Sequence, residues 1–163
     1  MQADRILPFA GILWFGLMAG FFWSFSAVVM PGLERAEPAV AIAAMQDINV
    51  AVRNPLFGIG FFGAALIAVA LMVRSAFMAR FAGAVNAASG LVYLVGVPGV
   101  TVLGNVPLNE ALAAVDPAAG SAAAAMADYL RDWMGLNHVR TAAALVATAM
   151  LLWSFGHGRR AEA

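Results

Sequence analysis

Four long apolar runs constrain this chain more than any other feature. Ile6–Met30 ends at Pro31-Gly32. Leu56–Val73 follows Asn54-Pro55 and ends at Arg74. Phe81–Leu103 follows Arg80, and Val139–Phe155 precedes a Gly-His-Gly-Arg-Arg tail. A helix needs about 20 apolar residues to cross the hydrocarbon core, and the fourth run gains that length if Trp133–Leu136 extend it. A bilayer offers no water to the backbone, so helices are the natural spanning solution. Composition agrees: 63% of the 163 residues are hydrophobic and 11% charged, against about half and one quarter in soluble domains. The predicted fold is an all-α membrane protein in one domain, 1–163. Its four transmembrane helices fall at about 6–30, 56–73, 81–103 and 136–155. Ser24-Phe-Ser-Ala27 imitates a cleavage site, but Ile6–Met30 is longer than a signal h-region of about 7–15 residues, which favours a retained span.

The charges suggest an orientation. Arg5, Arg74, Arg80, Arg159 and Arg160 lie at the termini and in the second connection. Arg35, Arg53 and Arg131 lie in the two long connections, diluted by seven acidic residues from Glu34 to Asp132. Arginine favours the cytoplasmic side. The expectation is a multi-pass protein of the cell (inner or plasma) membrane, with both termini cytoplasmic and both long connections extracytoplasmic. Each long connection is expected to hold an amphipathic helix. In Pro38–Arg53, Gln46, Asn49 and Arg53 share one helical face, and Val40, Ile42, Ala43, Ile48 and Val52 are read as the other. This predicts a helix lying on the outer surface. In the other connection Asp116–Gly120 reads as a turn, and Ser121 can cap a helix leading to the fourth span.

Composition also removes whole classes of chemistry. The formal net charge is zero, which offers nucleic acid no basic face. The chain has no cysteine and no lysine, because all nine of its cationic residues are arginine. Disulfides, thiolate ligands and lysine Schiff bases are therefore excluded. The histidines, His138 and His157, would stand about 28 Å apart on one helix and cannot share a metal, so no metal site is expected. No phosphate-binding or nucleotide fingerprint is present. The lysine-free, alanine-rich composition suggests a GC-rich bacterial genome.

Polar groups gather where the apolar runs end. Trp133, Asn137 and Thr141 fall at i, i+4 and i+8, with Arg140 on the same side and His138 beside Asn137. Thr101, Asn105 and Asn109 repeat that spacing at the end of the third run, with Pro107 expected to distort its last turn. Gln46, Asn49 and Asn54 precede the second run. The predicted topology brings all three sets to one end of the bundle. Taken singly, each residue fits a helix cap, an interhelical bridge or an interface anchor. Together they fit a ligand pocket between helices. Pro98-Gly99 should bend the third helix, with or without opening a cavity. The pairs Gly16/Gly20, Gly60/Ala64 and Gly83/Ala87 have the spacing of close helix packing, within one bundle or across a homo-oligomer.

Three segments carry a family resemblance: Met45-Gln-Asp-Ile-Asn-Val-Ala-Val-Arg-Asn-Pro55, Gly104-Asn-Val-Pro-Leu-Asn-Glu110, and Trp133 with Asn137-His-Val-Arg-Thr141. In order and spacing they resemble the anthrone oxygenase-like family of small four-helix membrane proteins. The resemblance implies a monooxygenase-type oxidation of an anthrone or similar polycyclic phenol by O₂, with no cofactor. Such chemistry needs a base, donors for an aryl-oxide anion and an apolar pocket. Within that frame His138 is assigned as base and Arg140 as anion stabiliser, aided by Asn105, Asn109 or Asn137. Trp133 stacks on the substrate, Gln46 and Asn49 close the pocket, and Asn54, Thr101 and Thr141 complete it. His138→Ala is then expected to abolish turnover. The expected partners are membrane lipid and a hydrophobic aromatic or quinone-like ligand. The rival reading is a non-catalytic lipid- or quinone-binding protein, or an accessory subunit of a membrane complex. A transporter is disfavoured because no span carries a charge at mid-membrane and no internal repeat is evident.

Overall fold

The computed structural model describes residues 3–77 and 80–160, and every regular element among them is helical. Helix α1 (Ala3–Ser24) passes through a π-helical turn, Phe25–Val29, into α2 (Met30–Glu34). Then come α3 (Pro38–Ala51) and α4 (Pro55–Ser75). Helix α5 (Arg80–Leu94) continues through two π turns, Val95–Gly99 and Thr101–Asn105, into α6 (Val106–Ala113). Helix α7 (Ala122–Arg160) closes the chain. Four stretches are long and apolar enough to cross a membrane: Arg5–Glu34, Pro55–Ser75, Ala82–Ala113 and Ala122–Gly156. They follow the four runs of the sequence, and the chain is a multi-pass helical membrane protein.

Helices α1, α4, α5 and α7 pack in a ring. Their shared core includes Phe15, Phe22, Ala68, Tyr93, Ala144 and Leu151. The outer surface carries exposed Leu13, Leu17, Leu66, Leu145 and Leu152. A continuous apolar exterior of this kind is suited to lipid. The start of α1 and the last turns of α7 lie at the same end of the bundle, where the Arg5 guanidinium sits 4.7 Å from the centre of the Phe155 ring.

The opposite end carries a cap with its own core, built from Met30, Ile42, Met45, Leu112, Met126 and Trp133. Proline and asparagine set its corners. Pro38 and Pro55 occupy the first turns of α3 and α4, where a missing N–H costs nothing. Asn54 Oδ1 accepts the Phe57 amide at 2.9 Å and so caps α4. Gln46 Nε2 donates to the carbonyls of Leu112 and Val115, each at 3.0 Å, which ties α3 to the end of α6. Gln46→Ala leaves those carbonyls without this donor and is expected to cost about 1–2 kcal/mol, read as a lower melting temperature in detergent. An unchanged melting temperature would show that the cap does not depend on this tie.

Two expectations are corrected. Helix α3 does not lie on the surface with its polar face outward. It packs on α6 and α7, and its buried face is Ala41, Ile42, Met45 and Asn49, while Val40 and Ala43 are exposed. Burial is set by what the helix packs against, and the cap core outweighs the polarity of Asn49. In the second long connection α6 continues the third membrane helix, and the helix expected after Ser121 is present: α7 begins at Ala122 and runs unbroken into the fourth span. Finally, Gly16 and Gly20 do not make a close helix contact within the chain, since a Cβ at Gly16 would find its nearest neighbour at 4.0 Å and one at Gly20 nothing within that distance. The tight approaches are elsewhere. A Cβ on Gly90 would lie 2.6 Å from the Ala68 carbonyl oxygen, and one on Gly96 would overlap the Ala143 Cβ.

Candidate functional site

Between the bundle core and the cap core lies a cavity of about 520 Å³, within the usual range for small-molecule sites. Local irregularity of the helices makes room for it. Pro98 has no N–H and its ring crowds the carbonyl four residues back. The third membrane helix answers with π turns at Val95–Gly99 and Thr101–Asn105. Helix α1 has its own π turn, Phe25–Val29, beside the same cavity. Such turns gather at functional sites because they re-aim side chains and loosen backbone bonds. Here the loosened region of α1 is held by Asn137, whose Nδ2 donates to the Phe22 carbonyl (2.8 Å) and to Ser26 Oγ (2.7 Å).

Six phenylalanines and Trp133 line the cavity. Phe21 lies 5.0 Å, ring centre to ring centre, from both Phe25 and Phe57. Phe25 lies 5.6 Å from Trp133, and Phe57 lies 5.7 Å from Phe61. Within this apolar surround stands one buried cation, Arg140, only 5% exposed. Its guanidinium is sandwiched between the Phe22 ring at 4.6 Å and the Trp133 ring at 4.9 Å. Nη2 donates to Asn137 Oδ1 at 2.7 Å and Nη1 to Thr101 Oγ1 at 3.3 Å. Its Nε is buried without a hydrogen-bond partner. Among the described residues no carboxylate forms an ion pair with Arg140. Cation–π contacts return about 0.5–2 kcal/mol, less than the several kcal/mol that burying an ion costs.

Further amides are arranged around the same space. Asn105 is 1% exposed and donates from Nδ2 to the Trp133 carbonyl at 3.3 Å, while its Oδ1 has no partner. Asn109 Oδ1 accepts both the Tyr129 hydroxyl (2.8 Å) and Trp133 Nε1 (2.9 Å). Indole N–H can only donate, so the amide's orientation is fixed and its NH₂ is the end left for the cavity. Asn49 completes the wall from α3.

The sequence-predicted residues therefore separate into groups. Arg140, Trp133, Asn105, Asn109, Asn49, Thr101 and Asn54 all line the cavity, with Asn54 at its mouth, occupied in capping α4. Asn137 stands behind Arg140 and orients it. Gln46 serves the cap rather than the cavity. Thr141 Oγ1 returns to the Asn137 carbonyl at 2.9 Å and lies on an outer groove. His138 is not brought to the cavity. It is exposed and borders two open grooves on the outside of the bundle, facing Trp23 in one and Glu34 in the other. The reason is helical geometry. At about 100° per residue, Trp133 and Arg140 lie within about 20° of each other, and His138 points about 160° away from Arg140. His157, the other histidine, lies where no side chain is described. Among the described residues no group of three or more His, Asp or Glu could hold a metal ion.

Sequence reasoning missed the aromatic wall and the rim residues Arg53 and Glu110. The pairs Phe21/Phe25 and Phe57/Phe61, each at i and i+4, were its available signal.

A family model described as anthrone oxygenase matches residues 50–150 of the chain. The matched stretch contains the α4, α5–α6 and α7 walls of the cavity, including Asn105, Asn109, Trp133 and Arg140. No curated protein and no solved structure matches the chain.

Proposed function

The chain belongs to the anthrone oxygenase family, and from that premise we propose that its cavity binds a flat, hydrophobic polycyclic phenol as the aryl-oxide anion and oxidises it with O₂, using no resident cofactor. One observation carries this reading: the buried guanidinium of Arg140, without a carboxylate partner, faces an aromatic cavity. An anionic oxygen there would supply the missing counter-charge, and the Asn109 NH₂ would add a neutral donor. The rings of Phe21, Phe25 and Trp133 suit a planar tricyclic body.

The chemistry balances without a further reductant. The activated CH₂ of an anthrone loses a proton, and the electron-rich anion adds O₂. The peroxide anion so formed takes up a proton, and the hydroperoxide sheds water to leave a carbonyl. One oxygen atom ends in the quinone and the other in water, so anthrone plus O₂ gives anthraquinone plus H₂O. Electrostatic stabilisation of the anion is the protein's main contribution. The proton leaves towards the mouth, where Glu110 is the lining carboxylate. The arginine distribution orients both termini to the cytoplasm of a cell membrane, which puts the cap and the cavity mouth on the other side.

The direct test is purified protein in lipid vesicles supplied with anthrone. Quinone formation and O₂ uptake in equal amounts are expected, with one labelled atom entering the quinone from ¹⁸O₂. Absence of turnover, with a hydroxyanthraquinone still bound, would instead support a ligand-binding or accessory-subunit role. The exposed position of His138 favours that second reading, because it leaves the cavity without an imidazole base. The same position reverses the expectation for His138→Ala. Its turnover and pH profile should stay within about twofold of the parent, since a solvated surface side chain has little leverage. A loss of a hundredfold would return the histidine to the mechanism.

A further inference from the structure

The cavity has one open side, and its two ends differ in chemistry. The lining residues from α1, α3 and α7 are all buried or half-buried. The exposed ones belong to α4 with the segment before it, and to the third membrane helix. They are Arg53, Asn54 and Phe62 on one edge, and Val102, Val106 and Glu110 on the other. The opening is thus a slot between two helices. It exists because α4 begins abruptly at Pro55 and packs on α1 and α5, while α6 packs on α3 and α7.

The slot runs along the helix axes. Phe62 lies about 10 Å deeper along α4 than Pro55, and Val102 about 12 Å deeper than Glu110, at 1.5 Å per residue. The cap end is therefore edged by charge and amide. The deep end is edged by Phe62 and Val102, which are 66% and 61% exposed on a surface suited to lipid.

We propose that the deep end of this slot is a lateral portal, through which a lipid-dissolved phenolic ligand passes from the bilayer between Phe62 and Val102 to reach Arg140. The proposal rests on the aryl-oxide reading of the cavity and adds the route and the form of the substrate. An anion would not cross hydrocarbon readily, so the ligand enters as the neutral phenol. It ionises beside Arg140, and its proton leaves by the cap end to water. The O–H bond breaks, its electron pair stays on the ligand oxygen, and no redox change occurs in this step. Entry from lipid and proton exit to water are thereby separated along one opening.

The absence of cysteine from the sequence makes the test specific. Single variants Phe62→Cys, Val102→Cys, Arg53→Cys and Leu145→Cys are reconstituted in vesicles and alkylated with a bulky maleimide. The probe is 2-hydroxyanthraquinone carried in the same vesicles, whose visible band moves to longer wavelength on ionisation. Alkylation at Phe62→Cys or Val102→Cys should slow the appearance of the anion band at least tenfold, while its final amplitude stays within about threefold. Leu145→Cys, exposed on α7 away from the cavity, should change the rate by less than twofold. Slowing by alkylated Arg53→Cys with no effect at Phe62 or Val102 would place entry in the aqueous phase and overturn the portal. If the unalkylated protein never produces the anion band, the aryl-oxide reading itself fails and the portal with it.

Discussion

Replacing Arg140 with methionine is expected to lower turnover about a hundred- to a thousandfold, the usual cost of removing a donor that stabilises a developing oxyanion, while leaving the folded protein as stable or more so. Two terms decide the second half of that expectation. The substitution strips a donor from Asn137 Oδ1 and another from Thr101 Oγ1, worth about 1–3 kcal/mol if the acceptors stay buried and unpaired. Against this, the protein no longer buries a cation without a counter-ion, which relieves several kcal/mol. Methionine can also refill the space between Phe22 and Trp133. The net change in stability should fall between zero and about 2 kcal/mol in favour of the variant. Arg140→Lys separates charge from shape. It keeps the cation but loses the planar stacking surface and the forked donors, so an intermediate activity is expected. Turnover in vesicles and melting temperature in detergent measure the two effects independently. A marked loss of stability with turnover preserved would make Arg140 a structural residue and remove the central support for an anion site.

Gly96→Ala should be strongly destabilising, although alanine is normally the better helix former by about 1 kcal/mol. The new methyl would overlap the Ala143 Cβ. Neither group sits at the end of a flexible side chain, so the helices must separate. Overpacking of this kind costs about 1–3 kcal/mol. The consequence extends to the cavity, because Gly96 lies in a π turn of the third membrane helix and Ala143 stands three residues beyond Arg140 on α7. The same approach of helices brings Thr101 within reach of Arg140. A displacement of about 1 Å at a positioned group can cost a hundredfold in rate, so activity should fall with stability. Two companions make the explanation specific. Ala143→Gly in the Gly96→Ala background moves the methyl from one helix to the other and should restore most of the loss. Gly20→Ala, at a position with nothing within 4 Å, should be neutral or slightly stabilising. Failure of the rescue would mean that Gly96 is needed for its backbone conformation rather than for the close approach.

Much of the candidate site was legible as spacing. Trp133, Asn137 and Arg140 form a stripe on any straight helix, and α7 is continuous through them. Thr101 and Asn105 were also brought to the cavity, although the helix between them is π-helical and was not predicted as such. The histidine was misplaced because adjacency in the chain stood in for adjacency in space. Residues next to each other on a helix diverge by about 100°, and that rule, applied from Arg140 rather than from Asn137, already turns His138 outward. The orientation of α3 was not legible in the same way. Its sequence allows more than one buried face, and the choice fell to the cap core that Ile42 and Met45 complete with Met30, Leu112 and Met126.

The sequence by itself determined that this chain crosses a membrane as four helices, which stretches cross it, and that cysteine and lysine chemistry are closed to it. These follow from the cost of exposing backbone and charge to hydrocarbon, which depends on the order of residue types along each run. Only the tertiary structure decided which polar groups share a cavity, which glycines bring helices into contact, and where the cavity opens. Those outcomes depend on how separate helices cross. No single run encodes that Phe21 of α1 and Phe57 of α4 will meet, or that Arg140 will be buried beside rings from two helices with no carboxylate paired to it among the described residues.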